Sequence, residues 1–408
     1  MKRVVVTGMS QISPLGVTRE SAFEKLLSQT NCVQYMPEFE VFTRLNTKLA
    51  APAKDFEIPQ HYTRKVLRTM GRVGVLSVAS AEEALTDAGL IGDPIITDGR
   101  TGVSYGSSTG SLESIIDFYS MMVEKEVKTV TSGSYVKMMP QTTAVNISLY
   151  FKTTGRLIPT STACTSGSMG VGYAYEAIKN GYATVMIAGG ADELHPTQVA
   201  IFDTLYATSQ KNSTPELTPS PFDRDRDGLV IGEGAGTLIL EEYEHAKNRG
   251  AKIYAEVIGF GTSTDGTHIT SPNQEKMKSA LELALKDANI SPDDIGYVNA
   301  HGTATLQGDV AESNATYEIF KRAVPISSIK SYTGHTLGAC GAIEAVMTID
   351  MARKKWFCPT LNLNNVDENC GKLDYIKGSG REIDTKIVMS NNFAFGGINT
   401  SLIFKIWE

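Results

Sequence analysis

The segment ALTDAG (Ala84 to Gly89) returns as ALKDAN (Ala284 to Asn289), and the same kind of sequence follows each copy. A short loop, a strand-like run and a small-residue turn come next: TGVSYGSSTG in one place, IGYVNAHGTAT in the other. A second pair keeps the same order along the chain: TACTSGSMG (Thr162 to Gly170) and TGHTLGACG (Thr333 to Gly341). Each match is short, but their shared order favours duplication over chance. Read residue for residue, the second pair sets Cys164 opposite His335, Gly167 opposite Gly338 and Gly170 opposite Gly341. No linker composition separates the copies. The chain therefore reads as two similar halves, residues 1–250 and 251–408, sharing one continuous core.

Between the repeats, short β-branched runs such as KRVVVTG, ATVMIAGG, GTLILEEY and TKIVMSNNF alternate with helical patterns such as RVGVLSVASAEEALTDAGL and GACGAIEAVMTIDMARKK. That alternation predicts an α/β fold with buried strands. With 41% apolar and 20% charged residues, the chain has the makeup of a packed globular protein. A net charge of -7 supplies no general attraction to nucleic acid or to an anionic membrane. No window reaches the ~18 apolar residues of a membrane span. The basic start MKRVVVTG has too short an apolar run for a signal peptide and reads as a strand. Five scattered cysteines without CxxC spacing fit neither a zinc site nor a disulfide framework. A soluble protein of a reducing compartment, the cytoplasm, is expected, with no metal.

Three residues carry the chemistry. Cys164 lies among serines, threonines and glycines between a strand-like run and a helical one. His301 lies in NAHGTAT, and His335 in KSYTGHTLGACGAIE. All three occupy turns at strand ends, where α/β proteins hold reactive groups. A buried structural cysteine explains Cys164 equally well by itself. A helix N-terminus, however, favours thiolate, and duplicated positions can converge across a pseudo-twofold axis. One thiol and two imidazoles suit acyl transfer, with the thiolate taking the acyl group and the imidazoles donating to an enolate oxygen. Thr303 and Thr305 are placed to hold a polar linker. Gly167, Gly170 and Gly172 cost roughly 1 kcal/mol each against alanine inside a helix, so close helix contact is expected there. Cys32, Cys340, Cys358 and Cys370 read as packing residues. GEGAG (Gly232 to Gly236) precedes a strand pattern, whereas a dinucleotide loop must open a helix.

With these motifs in view, the chain resembles condensing enzymes of the β-ketoacyl-acyl-carrier-protein synthase II type. The resemblance runs from VVVTGMSQISPLG through TACTSGS, PFDRDRDGLVIGEGAG, NAHGTAT and SSIKSYTGHTLGACGAIE to NNFAFGGINTSLIF, which is nearly the whole chain. It implies a thiolase-like five-layer αβαβα fold and a decarboxylating Claisen condensation in fatty-acid or polyene biosynthesis. By resemblance, Cys164 is the acyl acceptor, and His301 and His335 promote malonyl decarboxylation and hold the enolate. Lys330 organises the second histidine, with Glu344 as its acidic companion. Phe395 and Phe393 belong to the gating loop, and the Phe395 and Cys164 N–H groups to the oxyanion hole. Thr303, Thr305, Thr270 and Thr109 touch substrate, with Thr109 at the acyl tunnel. No cofactor is implied, since phosphopantetheine arrives on the acyl carrier protein. The acidic carrier is expected to dock on Arg64, Lys65, Arg68 and Arg72. The assembly implied is a homodimer, or a heterodimer with a chain-length factor.

Ala394 stands where related fatty-acid enzymes have the first glycine of their mobile loop. Thr109 replaces a bulky aliphatic residue. Thr165 and Gln307 look more like ketosynthase subunits of type II polyketide and aryl polyene systems, which is the alternative reading. A biosynthetic thiolase would need a second cysteine in the C-terminal glycine-rich loop. An initiating synthase would have Asn at His335, a chain-length factor would lack Cys164, and a papain-like hydrolase would not show the duplication.

Overall fold

The structure is a computed structural model describing residues 1–408. Its principal elements in the first half are β1 (Val4–Ile12), α1 (Arg72–Asp87), β2 (Thr101–Gly106), α2 (Thr142–Phe151), β3 (Leu157–Thr160), α3 (Ser166–Lys179), β4 (Val185–Asp192) and β5 (Gly234–Glu242). The second half contains β6 (Ala255–Thr264), α4 (Gln274–Ala288), β7 (Tyr297–Asn299), α5 (Leu306–Phe320), β8 (Pro325–Ser327), α6 (Cys340–Arg353), β9 (Ile387–Ala394) and β10 (Ile398–Ile406). The first half pairs its strands in the order β3-β2-β4-β5-β1, and the second in the order β8-β7-β9-β10-β6. In each half the second strand pairs parallel with its two neighbours, and the fifth pairs antiparallel with the fourth and the first. The repeat seen in the sequence is therefore a repeat of topology. The halves join edge to edge where Val4–Val6 of β1 pair with Ala255–Val257 of β6.

Helices α1 and α2 cover one outer face and α4 and α5 the other, each pair over its own hydrophobic cluster. Between the two sheets lie α3 and α6, packed against each other and against strands of both halves. This is the five-layer αβαβα arrangement. The sequence assigns the middle layer. In α6, all but one of the residues from Cys340 to Arg353 are buried, Glu344 and Asp350 among them, so the helix has no solvent face. No helix is long and apolar enough to cross a membrane.

The structure corrects the register of the second repeat. The short turn Ala163–Thr165 before α3 corresponds to Leu337–Ala339 before α6, and Ala163 and Leu337 share a left-handed backbone (φ +49° and +51°). Cys164 is thus opposite Gly338, not His335, and Gly167 is opposite Gly341. His335 belongs to a longer connection in the second half that includes the one-turn helix Lys330–Thr333. Glycines spaced by three match themselves after a three-residue slip, which is why the residue-for-residue alignment falls one turn out of register.

The glycines of α3 also divide their work. A Cβ on Gly167 would lie 2.9 Å from the Gly338 carbonyl oxygen and 3.0 Å from the Ala342 nitrogen, so this is the helix-to-helix contact. Gly170 instead faces β4, where a Cβ would come 2.4 Å from the Gly189 oxygen, and Gly172 faces the Phe260 ring. Because Gly167 meets backbone atoms that cannot rotate away, Gly167→Ala should destabilise the fold by about 1–3 kcal/mol. Thermal denaturation would show this as a lower midpoint. An unchanged midpoint would mean the two central helices separate freely.

Candidate active site

Cys164 and His301 sit just past the ends of their strands, and His335 follows the one-turn helix Lys330–Thr333. Cys164 occupies the turn between β3 and α3, next to the left-handed Ala163. Such a backbone costs on the order of 1 kcal/mol and persists only where packing imposes it. His301 follows β7, and its loop is tied down by two buried acids of α5. Glu312 accepts the N–H groups of His301 and Gly302, both at 2.7 Å. Asp309 accepts those of Thr303 and Ala304 at 3.1 and 3.2 Å. Burial pushes Glu312 up to about 8 and Asp309 up to about 6 against the pull of these donors. His335 is stitched to the LVIG segment: its N–H donates to the Val230 oxygen at 2.7 Å, and its carbonyl accepts from Gly232 at 2.9 Å. The glycine-rich stretch with a nucleotide-loop look therefore braces a histidine.

The Nε2 of His335 lies 3.0 Å from the Cys164 sulfur. The Cys164 sulfur and one ring nitrogen from each of His301 and His335 lie within 4.8 Å of one another. The imidazoles meet edge to face, 5.1 Å between centroids. On His335, Nδ1 accepts the Leu337 N–H at 3.3 Å, and on His301 it accepts from the Asn392 amide at 3.4 Å. Each Nδ1 is thereby an acceptor, which leaves the proton on Nε2, aimed into the site. A metal ion on Nε2 would need the opposite tautomer. The set is arranged to donate hydrogen bonds. Burial holds both histidines well below the ordinary imidazole range, and the Lys330 charge adds to it.

Lys330 forms a fully buried ion pair with Glu344. Glu344 also accepts from Asn392 at 2.7 Å and Asn299 at 3.4 Å. Burial works against the lysine charge, but Cys340 and Glu344 outweigh it, and the ammonium sits above its ordinary range.

The thiol departs from the sequence expectation. Burial raises Cys164 to about 12, opposed by Lys330, reinforced by Asp192, and opposed again by the N–H groups of Phe395 and of Cys164 itself. Desolvation outweighs the helix terminus here. Thiolate is then scarce at neutral pH in the free enzyme. The alkylation rate of Cys164 by iodoacetamide should climb about tenfold per pH unit from pH 7 to 9. A plateau already at pH 7 would show a depressed pKa instead.

A cavity of about 420 Å³ opens onto this centre. The β-ketoacyl synthase N-terminal domain family matches residues 1–246, and the C-terminal domain family matches residues 254–364. The chain belongs to the β-ketoacyl synthase family. It is 40% identical to the 3-oxoacyl-[acyl-carrier-protein] synthase 2 of Vibrio cholerae over 99% of both chains. A β-ketoacyl synthase from Burkholderia phymatum superposes with a TM-score of 0.98 at 56% identity, all of both chains covered. The ishigamide ketosynthase/chain length factor superposes with a TM-score of 0.91 at 29% identity, also over all of both chains. The synthase is an acyl-transferring condensing enzyme.

Most residues expected at the site of the synthase line this cavity: Cys164, His301, His335, Thr303, Thr305, Thr270, Phe393 and Phe395. The Thr303 and Thr305 hydroxyls are 3.0 Å apart. Phe395 stacks on Phe202 at 5.1 Å, and Phe393 lies edge-on to His301. Thr109 is half-buried and lies outside the lining. Arg64, Lys65 and Arg68 are exposed. Arg72 is not free for docking: it grips the buried Glu233 through two bonds of 2.6 and 2.7 Å. Ala394 is unstrained at the end of β9, and the left-handed turn falls to Gly396 and Gly397 (φ +86° and +68°). Cys340 is more than packing, since its thiol donates to the Cys164 carbonyl oxygen at 3.3 Å.

Sequence reading missed Glu312, Asp309, Asn392 and Asp192. Asp192 accepts the N–H groups of Ser108 at 3.0 Å and Gly338 at 2.6 Å, clamping the turn opposite the nucleophile. Two acids in the first turns of the helix after HGTAT were the available signal. Acids near a helix start are common, and only the fold shows these two turned back onto the loop.

Proposed function

We propose that this synthase elongates acyl chains by two carbons in fatty-acid biosynthesis, with Cys164 as acyl acceptor and malonyl-acyl carrier protein as donor. The observation that carries the reading is the thiol facing two Nε2–H groups at the base of one cavity. In the first step the Cys164 sulfur attacks the thioester carbonyl. The oxyanion is held by the N–H groups of Cys164 and Phe395, both of which lie against the sulfur. The bond to the carrier's thiol breaks, and that thiol leaves with the proton of Cys164. In the second step malonyl loses its carboxylate as CO2, and the electron pair passes to an enolate whose oxygen accepts from His301 and His335. The enolate carbon attacks the acyl carbonyl, and the Cys164 sulfur leaves as thiolate and is reprotonated. Thr303 and Thr305 hold the pantetheine arm, and no resident cofactor is needed.

The polyketide reading is weaker. The 3-oxoacyl synthase relative is 40% identical, against 29% for the ketosynthase/chain length factor. Five free thiols suit a reducing cytoplasm. The helix Ile115–Glu124 buries no residue and exposes Ile116, Tyr119 and Met122, and β3 ends the sheet. An uncovered apolar helix and an open strand edge each support a homodimer. Light scattering should give twice the chain's mass, and a monomer at micromolar concentration would reject the pairing.

The decisive test is intact mass after incubation with saturated and polyunsaturated acyl-carrier proteins, then with malonyl-carrier protein. Saturated acyl adducts on Cys164 that are then elongated support the proposal. Loading of unsaturated chains alone, or turnover only with an added subunit, would move the synthase to a specialised polyene or polyketide system. No adduct at all would reject it.

A further inference from the structure

Asp192, the last residue of β4, is a fully buried carboxylate to which the condensation steps give no task. Its polar partners are three uncharged donors. The Ser107 hydroxyl donates to Oδ1 at 3.2 Å, and the N–H groups of Ser108 and Gly338 donate to Oδ2 at 3.0 and 2.6 Å. Burial raises the acid to about 6 against the pull of these donors. A carboxylate held without a counter-ion in a site closed to water is costly. What it grips is the turn Leu337–Ala339. A Cβ on Gly338 would lie 2.7 Å from both Asp192 Oδ2 and the Ser108 nitrogen, so the turn is seated directly on the carboxylate. Next to Gly338 is Leu337, whose left-handed backbone (φ +51°) persists only where its surroundings impose it. The N–H of the same Leu337 donates to His335 Nδ1 at 3.3 Å.

We infer that Asp192 is a positioning residue for His335: by gripping the Gly338 N–H it keeps the Leu337 N–H on Nδ1, and so keeps the His335 proton on Nε2. The inference rests on the condensing-enzyme reading. Without the grip the strained turn relaxes and carries the Leu337 N–H away from the ring. Nδ1 can then take the proton, and Nε2 turns from a donor into an acceptor that repels an enolate oxygen. Decarboxylation, which uses the two histidines, suffers. Acyl loading uses the sulfur and the N–H groups of Cys164 and Phe395, and is spared. The grip itself needs an oxygen but no charge. An asparagine can set its amide oxygen in place of Oδ2 and turn its NH2 toward the Ser107 hydroxyl, which can accept.

The test separates two partial reactions: CO2 release from malonyl-acyl carrier protein, and octanoyl loading onto Cys164 read by intact mass. Asp192→Ala should lower kcat for decarboxylation roughly tenfold to a hundredfold, with KM changed less than about twofold and loading slowed less than about threefold. Asp192→Asn, which keeps the grip, should restore decarboxylation to within about threefold of wild type. Gly338→Ala pushes the turn off an intact Asp192 and should reproduce the loss, so either variant decides if the other does not fold. In 15N NMR of histidine-labelled enzyme, the wild-type His335 proton should sit on Nε2, and Asp192→Ala should move part of it to Nδ1. Unchanged decarboxylation in the folded variants, equal losses in both partial reactions, or an unmoved tautomer overturns the inference. So does an Asp192→Asn enzyme as poor as Asp192→Ala, because charge rather than grip would then act. Wild-type enzyme that neither loads octanoyl nor releases CO2 overturns the condensing reading, and the inference with it.

Discussion

Cys164→Ala is expected to abolish acyl loading and condensation, by roughly four orders of magnitude or more, while malonyl decarboxylation persists. The two activities separate because the geometry separates them. Acyl transfer needs the sulfur, and no other thiol replaces it: Cys340 is buried behind the Cys164 carbonyl, and its proton is committed to that oxygen. On the proposed mechanism, decarboxylation needs hydrogen-bond donors to the enolate oxygen, and the Nε2–H groups of His301 and His335 would supply them. The variant leaves their Nε2–H groups in place, because Leu337 and Asn392 set the tautomers from the far side of each ring. Intact mass with acyl-carrier protein, alongside CO2 release from malonyl-carrier protein, reads both activities. Full condensation by the variant would remove Cys164 from the mechanism. Loss of decarboxylation together with condensation would mean that the enolate cannot form until the acyl group is bound.

The second large effect is on stability. Lys330→Met should cost about 3–5 kcal/mol, because it strands the Glu344 carboxylate in a site closed to water. Lys330 and Glu344 expose 1% and 2% of their surface. Asn392 and Asn299 alone cannot neutralise the carboxylate. It would have to take up a proton, and its tie to Asn392 would weaken with it. Asn392 is also the partner of His301 Nδ1, so the loss should spread to decarboxylation. The double variant Lys330→Met/Glu344→Gln should recover much of the stability, since a neutral pair of similar volume carries no buried charge. Denaturant unfolding of the two singles and the double measures the coupling. A Lys330→Met protein as stable as wild type would mean that Glu344 is already protonated and the pair is not ionic.

The two halves, the buried strands and the positions of Cys164, His301 and His335 were legible because each has a local signature. Strand and helix periods are written in neighbouring residues, and duplication preserves order along the chain. Small residues betray a turn that must let backbone or substrate approach closely. The register of the halves was not legible, because glycines every third residue match themselves after a one-turn slip. Nor were the roles of Gly170 and Gly172, whose contacts lie on a strand and on Phe260 rather than on the paired helix.

By itself, the sequence determined the α/β class, the duplication and the three reactive groups, all properties of residue type and spacing. Tertiary structure alone decided that Glu312 and Asp309 turn back to hold the His301 loop, that Arg72 is spent on Glu233, and that the Cys164 thiol is raised rather than lowered. Each of these depends on which groups from distant segments share a volume closed to water. There, desolvation and long-range partners outweigh the local effect of a helix end.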